Sequence, residues 1–224
     1  MNLNILYQDE HYIFVEKPPH LIVHPSKMHS RNEPSLLHLL KRQTGEYLYP
    51  LHRLDRPVSG IVGMGLSKEA TKSLQEIWST DSVIKTYLTL VRGQYPSPGV
   101  LNFPLKNSQG EFSDAITMYA PLRLFKDSSF LKIQISTGRH HQIRRHFART
   151  VNHILGDRKY GKKKYNDAYK EQFNLQRIFL HGHKFQFPHP LTGQNISIES
   201  TLPQDLQEVL DNLNPYLINN THDW

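Results

Sequence analysis

The stretch His52-Arg-Leu-Asp-Arg-Pro-Val-Ser-Gly-Ile61 surrounds one carboxylate, that of Asp55, with three side chains that are or can be positively charged: His52, Arg53 and Arg56. Proline disfavours a helical conformation in the residue before it, so we expect Pro57 to keep Arg56 extended. Gly60 indicates either a turn or a close approach of two backbones. Positive neighbours favour the ionised form of a carboxylate, and an ionised carboxylate suits a nucleophile better than a general acid. The alternative is a surface aspartate in ion pairs with its flanking arginines.

The charge of the whole chain indicates a polyanionic partner. Its 224 residues include 27 Lys and Arg against 20 Asp and Glu, which gives a formal net charge of +7. A basic balance of this kind is typical of nucleic-acid-binding proteins, although many basic proteins bind no nucleic acid.

Several classes of protein are excluded by composition. The absence of cysteine excludes disulfides, thiolate metal sites and a thiol nucleophile. No apolar stretch approaches the ~20 residues that span a bilayer, and the N-terminus lacks a basic segment followed by an apolar run. We therefore predict a soluble cytoplasmic protein with no membrane association. The length allows one large domain or two small ones, with a substantial core.

Strands are predicted from short apolar runs and from alternation of β-branched residues. An N-terminal hairpin is expected from two such runs, and the later strands are expected at residues 83–91, 115–125, 130–136, 178–187 and 196–199. Residues 94–114 are rich in Pro, Gly, Ser and Asn and predict a loop with a short strand near Val100. Strands outnumber helices and most neighbours look hairpin-linked, which favours the α+β class with a largely antiparallel sheet.

Four helices are predicted from capping residues and apolar spacing. The first begins at Pro34 and ends at Gly45, the second is capped by Ser67, and the third follows residues 137–140 with three inward side chains, Ile143, Phe147 and Val151. The fourth is expected to be capped by Ser200 or Thr201. The tail after Pro215 is expected to be loose.

The stretch around Asp55 is similar to the catalytic motif of the RluA-type pseudouridine synthases, His-Arg-Leu-Asp-Arg-Pro-x-Ser-Gly, whose aspartate is required for catalysis. The Arg56-Pro57 pair most resembles the synthase C branch, which acts on transfer RNA. Two departures stand out: Val58 replaces the usual Thr, and His20 replaces the Gly that usually follows Lys-Pro-x in the first motif.

Three further motifs of this family occur in the expected order. Lys85-Thr-Tyr87 resembles its Lys-x-Tyr, residues 137–146 resemble Thr-Gly-Arg-x-His-Gln-Ile-Arg-x-His, and Leu180 precedes His181 as an apolar residue that packs by the base. The resemblance implies that Asp55 is the catalytic carboxylate, that Tyr87 stacks on the target base and that Arg144 pairs with the aspartate. Expected substrate contacts come from five residues: Arg53, Arg56, Arg139, His141 and Leu180.

Each of these residues also has a simpler interpretation. Tyr87 on an alternating strand can be core packing, and Arg144 can be a solvated helix charge or a phosphate contact. Arg139, at a glycine turn before a helix, could bind phosphate. Residues 156–164 predict a basic loop, in which Lys162-Lys-Lys164 is a solvated run or a contact to the RNA backbone. The histidines of residues 140–146 could suggest zinc, and so could His181 and His183, but no cysteine is present and no carboxylate lies at ligand spacing, so we predict no metal.

The resemblance implies the pseudouridine synthase fold, with a bent mixed sheet, over about residues 3–200. It also implies a single catalytic domain over residues 1–224, with no separate N-terminal RNA-binding domain. Pseudouridine formation neither oxidises nor removes a group, so no cofactor is required. The RNA substrate is expected to be transfer RNA rather than ribosomal RNA. We expect no obligatory protein partner, and we favour a monomer.

Three other classes of protein are weighed against this one. A non-catalytic RNA-binding module explains the charge but not an aspartate ringed by arginines. A uridine C5 methyltransferase needs a cysteine nucleophile and a glycine-rich cofactor loop, and the chain has neither. A glycosidase normally pairs two carboxylates, and no second carboxylate stands out near Asp55. The nearest competitor is a synthase of the same family that acts on ribosomal RNA or on another uridine of transfer RNA.

Overall fold

The computed structural model describes residues 2–25 and 33–220. The chain forms two compact units, one comprising Met1–Ile84 and Gly182–Ser200, the other Lys85–His181 and Thr201–Trp224. The prediction of a single catalytic domain over residues 1–224 stays a prediction.

The elements follow in chain order. The strands are β1 Ile5–Gln8, β2 Tyr12–Lys17, β3 Tyr49–Pro50, β4 Ser59–Gly65, β5 Ile84–Arg92, β6 Gly99–Leu101, β7 Leu105–Lys106, β8 Phe112–Ser113, β9 Thr117–Phe125, β10 Ser128–Ile135, β11 Leu180–Pro188, β12 Asn195–Glu199 and β13 Leu217–Asn220. The helices are α1 Leu36–Thr44, α2 Lys68–Ile77, α3 Gln142–Arg149, α4 Lys163–Phe173 and α5 Gln204–Leu213.

Antiparallel pairs build the sheet of the first unit. Strand β2 pairs with β1 on one side and with β4 on the other, β3 adds to β4, and β11 pairs with β12. Strand β4 is buried along its whole length. Aromatic side chains from neighbouring strands pack against it. For example, the Phe14 ring of β2 fills the space that a side chain at Gly63 would need.

In the first unit, helix α1 is capped by Ser35, one residue after its predicted start at Pro34, and ends at the predicted Gly45, whereas α2 is capped by the predicted Ser67. The Ser35 hydroxyl accepts the His38 N–H at 3.3 Å, and Gly45 closes α1 in the left-handed region at φ 78°. The Ser67 hydroxyl accepts the Ala70 N–H at 3.0 Å at the start of α2. These bonds satisfy backbone donors that a helix end otherwise leaves unpaired.

The second unit contains four antiparallel strands in the spatial order β5-β10-β9-β13, and β6 also pairs with β9. Helices α4 and α5 bring aromatic and aliphatic side chains to one apolar cluster with β5 and β10. Its members include Leu90, Phe130, Tyr169, Phe173, Phe179, Leu206 and Leu210. The cluster holds the start of β11 beside β5, since the Phe179 carbonyl accepts the Thr89 hydroxyl at 2.7 Å.

The α+β class is confirmed, and the strand pairs described here are antiparallel. The N-terminal hairpin, α1, α2, α3, α5 and the five later strands lie close to their predicted positions. No helix within the described ranges has both the length and the apolar character that a membrane crossing needs.

Four expectations are wrong. Helix α4 was not foreseen, because Lys162-Lys-Lys164 was interpreted as part of a loop. Helix α5 begins after Pro203, not after Ser200 or Thr201. Val151 is exposed and has φ 70°, because α3 has already ended there. The tail is not loose up to Asn220, since β13 pairs with β9; residues 221–224 lie outside the described residues.

Candidate active site

Asp55 lies half-buried on a tight turn of the first unit. The Val58 N–H donates to the Asp55 carbonyl at 3.0 Å and closes the turn just before β4. The buried ammonium group of Lys17 holds this turn in place. Lys17 donates from Nζ to the carbonyls of Pro18 and Leu21 at 2.8 Å each and to that of Arg56 at 3.2 Å. The turn that carries the carboxylate is therefore tied to the end of β2, a role of Lys17 that sequence reasoning missed.

Arg56 is held on the outside of the turn. Its Nη2 lies 2.9 Å from a Glu33 carboxylate oxygen, and its Nε donates to the His20 carbonyl at 3.2 Å. His20 has φ 67°, the left-handed conformation that glycine adopts without strain. The chain thus keeps the glycine-like backbone at this position in spite of its histidine. Arg53 is exposed and lies two residues before this turn.

His52 does not add a positive charge beside Asp55, which corrects the interpretation of the stretch. The Gly63 N–H donates to His52 Nε2 at 3.1 Å, and a ring nitrogen that accepts a hydrogen bond carries no proton. The imidazole is therefore neutral, and it stacks on Trp78 with ring centroids 4.9 Å apart.

Gly60 and Val58 fit the turn to its surroundings. Gly60 has φ 125°, and a Cβ there would lie 2.3 Å from the Gly182 carbonyl oxygen. The close approach of two backbones is therefore the correct alternative. Val58 is buried, so the methyl group that stands where the family has a hydroxyl packs in the core.

Tyr87, Lys85 and Leu180 belong to the second unit. Tyr87 is 7% exposed and Lys85 3% exposed, and both point to one face of β5 because they are two residues apart on a strand. Lys85 Nζ lies 3.5 Å from the Ser136 carbonyl, and burial lowers the pKa of Lys85 to about 8. Leu180 is buried and follows Phe179, whose carbonyl accepts from β5. Leu180 therefore lies beside the strand that carries Tyr87.

Gln142 shapes the turn of residues 137–141, another role that sequence reasoning missed. Its side-chain oxygen accepts the Thr137 hydroxyl at 2.8 Å and the Arg139 N–H at 3.0 Å, while its Nε2 donates to the Ile116 carbonyl at 2.8 Å. Arg139 is exposed, and its Nε donates to the Asp114 carbonyl at 2.9 Å. The turn is thereby fixed against the start of β9.

His141 is held in an unusual conformation at the start of α3. It has φ 52° and stacks on His140 with ring centroids 3.7 Å apart. A hydrogen bond of 2.8 Å joins its Nδ1 to the Tyr160 hydroxyl. A non-glycine residue in the left-handed region is uncommon. The expected role of His141 in binding stays a prediction.

Arg144 is neither a solvated charge nor a surface phosphate contact. It is 6% exposed and forms a two-pronged pair with Asp157, which is 1% exposed: Nε to Oδ2 and Nη2 to Oδ1, each at 2.8 Å. The expected pairing of Arg144 with Asp55 stays a prediction. Asp157 is the functional candidate that sequence reasoning missed, because it lies in a stretch interpreted only as a basic loop.

Burial is the largest single effect on the pKa of the Asp157 carboxyl and raises it, whereas the hydrogen bond and the charge of Arg144 both lower it. The backbone N–H groups of Tyr160 and Lys159 add to this effect, so the net pKa lies below its ordinary value. Asp157 is consequently ionised at neutral pH.

Three side chains of α3 hold the segment of residues 103–106, and of these three Arg145 and Arg149 are also accessible to solvent whereas His146 is buried. Arg145, His146 and Arg149 donate to the carbonyls of residues 106, 103 and 104 at 3.0, 3.1 and 3.0 Å. Burial lowers the pKa of His146. The basic character of this helix is therefore used partly for anchoring residues 103–106, which the sequence did not indicate.

The histidines are engaged in local contacts. His183 Nδ1 donates to the Ser200 carbonyl at 2.8 Å, alongside the contacts of His141 and His146. Within residues 2–25 and 33–220, no group of three or more His, Cys, Asp or Glu side chains is arranged to hold a metal ion.

The predicted site residues thus fall into two groups. In the first unit, Asp55 and Arg56 lie on one turn and Arg53 lies just before it. In the second unit, Tyr87 and Leu180 lie on or beside β5, whereas Arg139, His141 and Arg144 occupy the turn and first helical turn of α3.

Comparison with known sequences and structures shows what kind of protein this is. The sequence profile described as RNA pseudouridylate synthase matches residues 11–149, more than half of the chain. The chain belongs to the RNA pseudouridylate synthase family. The synthase is therefore an isomerase that acts on RNA.

Relatives resemble the synthase over nearly its whole length. The tRNA pseudouridine synthase C of Vibrio vulnificus is 32% identical over 93% of this chain and 94% of its own. The tRNA pseudouridine synthase C of Pasteurella multocida is 32% identical over 99% of this chain and 100% of its own. Among solved structures, human RNA pseudouridylate synthase domain containing 4 has a TM-score of 0.79 at 23% identity, covering 97% of this chain and 95% of that one. Its likeness shows the fold.

Proposed function

We propose that the synthase isomerises one uridine of transfer RNA to pseudouridine, with Asp55 as its catalytic carboxylate. The observation that carries the choice of transfer RNA is the near full-length similarity to proteins named tRNA pseudouridine synthase C. The Arg56-Pro57 pair after the aspartate supports the same choice.

The reaction breaks the bond between sugar C1′ and base N1, turns the uracil, and joins C1′ to C5. The C5 proton leaves and N1 gains one, so atoms and electrons balance without an oxidant or a cofactor. The Asp55 carboxylate attacks C1′ or C6, or removes a sugar proton, and all three routes need it ionised. Its turn, fastened by Lys17, supplies a fixed position for it.

The other residues have roles that follow from their chemistry. The base must leave the RNA stack, which costs a few kcal/mol, and the ring of Tyr87 stacking on it offsets about 1–3 kcal/mol. Its hydroxyl removes the C5 proton. Leu180 packs against the base edge. Arg53, Arg56, Arg139 and His141 bind the RNA, and Arg144 places positive charge next to the carboxylate.

The test uses purified protein and two RNAs labelled with tritium at uridine C5, a transfer-RNA transcript and a ribosomal-RNA fragment. We expect release of about one equivalent of tritium per transfer RNA and none from the fragment, because only C5–C1′ bond formation expels the label. Release from ribosomal RNA alone would reject transfer RNA as the substrate. No release from either RNA would reject the function.

The same assay tests whether the enzyme needs a metal or a protein partner. We propose a cytoplasmic enzyme that acts as a monomer, as one catalytic domain, and without cofactor, metal or protein partner. Turnover should therefore persist in EDTA with no other protein added. A loss that zinc restores would make the histidines ligands, whereas rescue by magnesium alone would report on RNA folding.

A further inference from the structure

We propose that Asp157 is a positioning residue for catalysis: it fixes the guanidinium of Arg144 in the orientation that the reaction needs. The inference rests on the proposed function, because Arg144 matters to chemistry only if the protein is a pseudouridine synthase that uses it. Asp157 itself touches neither base nor sugar in this proposal.

The pair has the geometry of an orienting contact. Asp157 takes both Nε and Nη2 of Arg144 at 2.8 Å, which fixes the plane of the guanidinium as well as its position. Both side chains are almost fully buried. Buried ion pairs contribute little net stability because each charge loses its hydration, so stability alone is a weak reason for such a pair here.

Asp157 is itself held in place, as a positioning group must be. Its Oδ1 also accepts the N–H groups of Lys159 at 2.9 Å and Tyr160 at 3.1 Å. Its backbone carbonyl accepts Asn166 Nδ2 at 2.9 Å, and the Asn166 side-chain oxygen accepts the Gly156 N–H at 2.9 Å. The first turns of α4 therefore lock the loop that presents the carboxylate.

The same loop controls a second expected site residue. The Tyr160 ring centroid lies 5.1 Å from Arg144 Cζ, so the ring covers the guanidinium. The Tyr160 hydroxyl bonds to His141 Nδ1 at 2.8 Å. Residues 157–160 thus contact both Arg144 and His141. One loop therefore orients two side chains at the start of α3.

Asp157 accepts hydrogen bonds from one edge of the Arg144 guanidinium, and this contact fixes the direction in which the opposite edge of the guanidinium points. A guanidinium has five N–H groups in one plane, and Asp157 takes one from Nε and one from Nη2. The Nη1 edge is thereby directed away from Asp157 in a fixed direction. Without the carboxylate the side chain can rotate, and the charge that it offers to the reacting groups becomes poorly placed.

The test is Asp157→Asn. Asparagine keeps the shape of the side chain but removes its negative charge, and its NH₂ group faces the guanidinium where a carboxylate oxygen accepted a hydrogen bond. We expect single-turnover tritium release to slow by 10-fold or more, while the Kd for RNA changes by less than about 2-fold. The matched control is Asp205→Asn. Asp205 makes the same two-pronged contact with buried Arg177, at 2.6 and 3.0 Å, and this variant should turn over like wild type.

A double-mutant cycle with Arg144→Lys separates positioning from general loosening of the fold. Lysine keeps the charge but cannot form the fork, so Asp157→Asn should change its rate by less than about 2-fold in that background. Additive effects in the cycle, or wild-type turnover by Asp157→Asn, would overturn the proposal. If Asp157→Asn does not fold, Asn166→Ala decides, since freeing the loop should slow turnover with RNA affinity retained.

The outcome also distinguishes this inference from the proposed function. If wild type has no turnover, the proposed function fails, and the Nε–H signal of Arg144 in an NMR spectrum still decides the positioning. It should be protected from exchange in wild type and in Asp205→Asn, but not in Asp157→Asn. An unchanged signal in Asp157→Asn would overturn the proposal.

Discussion

The ring and the hydroxyl of Tyr87 have separate proposed roles, which can be tested independently. Phenylalanine keeps the ring that stacks on the uracil, so Tyr87→Phe should change RNA affinity by less than about 1 kcal/mol. It removes the hydroxyl proposed to accept the C5 proton, so single-turnover tritium release should slow by ~10²-fold or more. Rapid-quench kinetics and equilibrium binding measure the two effects independently.

Tyr95→Phe is the control for the loss of a buried hydroxyl. Tyr95 is buried in the same unit and its hydroxyl bonds to Thr150 at 2.8 Å, so its removal should leave the rate unchanged. Turnover of Tyr87→Phe at the wild-type rate would leave the hydroxyl without a catalytic role. Tyr87→Ala that binds and reacts normally would make the residue core packing.

Lys85 gives a pH dependence of stability. Burial lowers its folded-state pKa to about 8, whereas the unfolded value is about 10.4. Between these values the unfolded chain binds more protons, so the free energy of unfolding should rise with pH. The expected rise is about 2 kcal/mol between about pH 7.5 and about pH 9.5. Lys85→Met should lose this rise in urea titrations, and an equal slope in both proteins would contradict the shift.

Residues that carry chemistry could be identified from the sequence more readily than their partners. Asp55, Tyr87 and Arg144 belong to recognisable motifs. Asp157 lies 13 residues from Arg144, and its basic neighbours in sequence gave no indication that it pairs with this arginine. His52 looked positive because no sequence shows that its Nε2 accepts a backbone N–H. Such pairings depend on packing between elements, which local sequence does not encode.

At the scale of elements, the approach of β4 to β11 depends on Gly60. Alanine there would have a Cβ 2.3 Å from a backbone oxygen of Gly182, which neither strand can relieve by moving a side chain. Gly60→Ala should lower the free energy of unfolding by about 3 kcal/mol or more. Chemical denaturation of the purified variant measures this.

Gly110→Ala is the matched control. Gly110 also has a positive φ, 88°, but nothing lies within 4 Å of a Cβ built there. Its substitution should cost only backbone strain, about 1–2 kcal/mol. Equal losses in the two variants would mean that strain, not the backbone contact, sets the requirement for glycine at residue 60.

Elements with clear ends were the predictable ones. Helices α1 and α2 carry a serine cap and a spaced apolar stripe, so their positions follow from sequence. Helix α4 starts in three lysines with no side-chain cap, and only Tyr169 and Phe173 of its residues are buried. Its helical structure depends on packing against the apolar cluster, which is tertiary information.

At the scale of the molecule, the net charge of +7 predicts RNA binding that is steeply dependent on salt. Each phosphate neutralised releases a counterion, so affinity should fall by orders of magnitude between about 50 and about 200 mM salt. Fluorescence anisotropy with labelled transfer RNA measures the slope. An affinity that stays flat over this range would contradict a surface that contacts the phosphate backbone.

The measurement that tests the account most directly is tritium release from C5-labelled transfer RNA by Asp55→Asn. Asparagine keeps the shape of the side chain on its turn but removes the ionised carboxylate on which every proposed route depends. The account predicts about one equivalent released by wild type and none detectable from the variant, with unchanged melting temperature and an RNA Kd within about 2-fold of wild type. Turnover by Asp55→Asn within about 10-fold of wild type would contradict it.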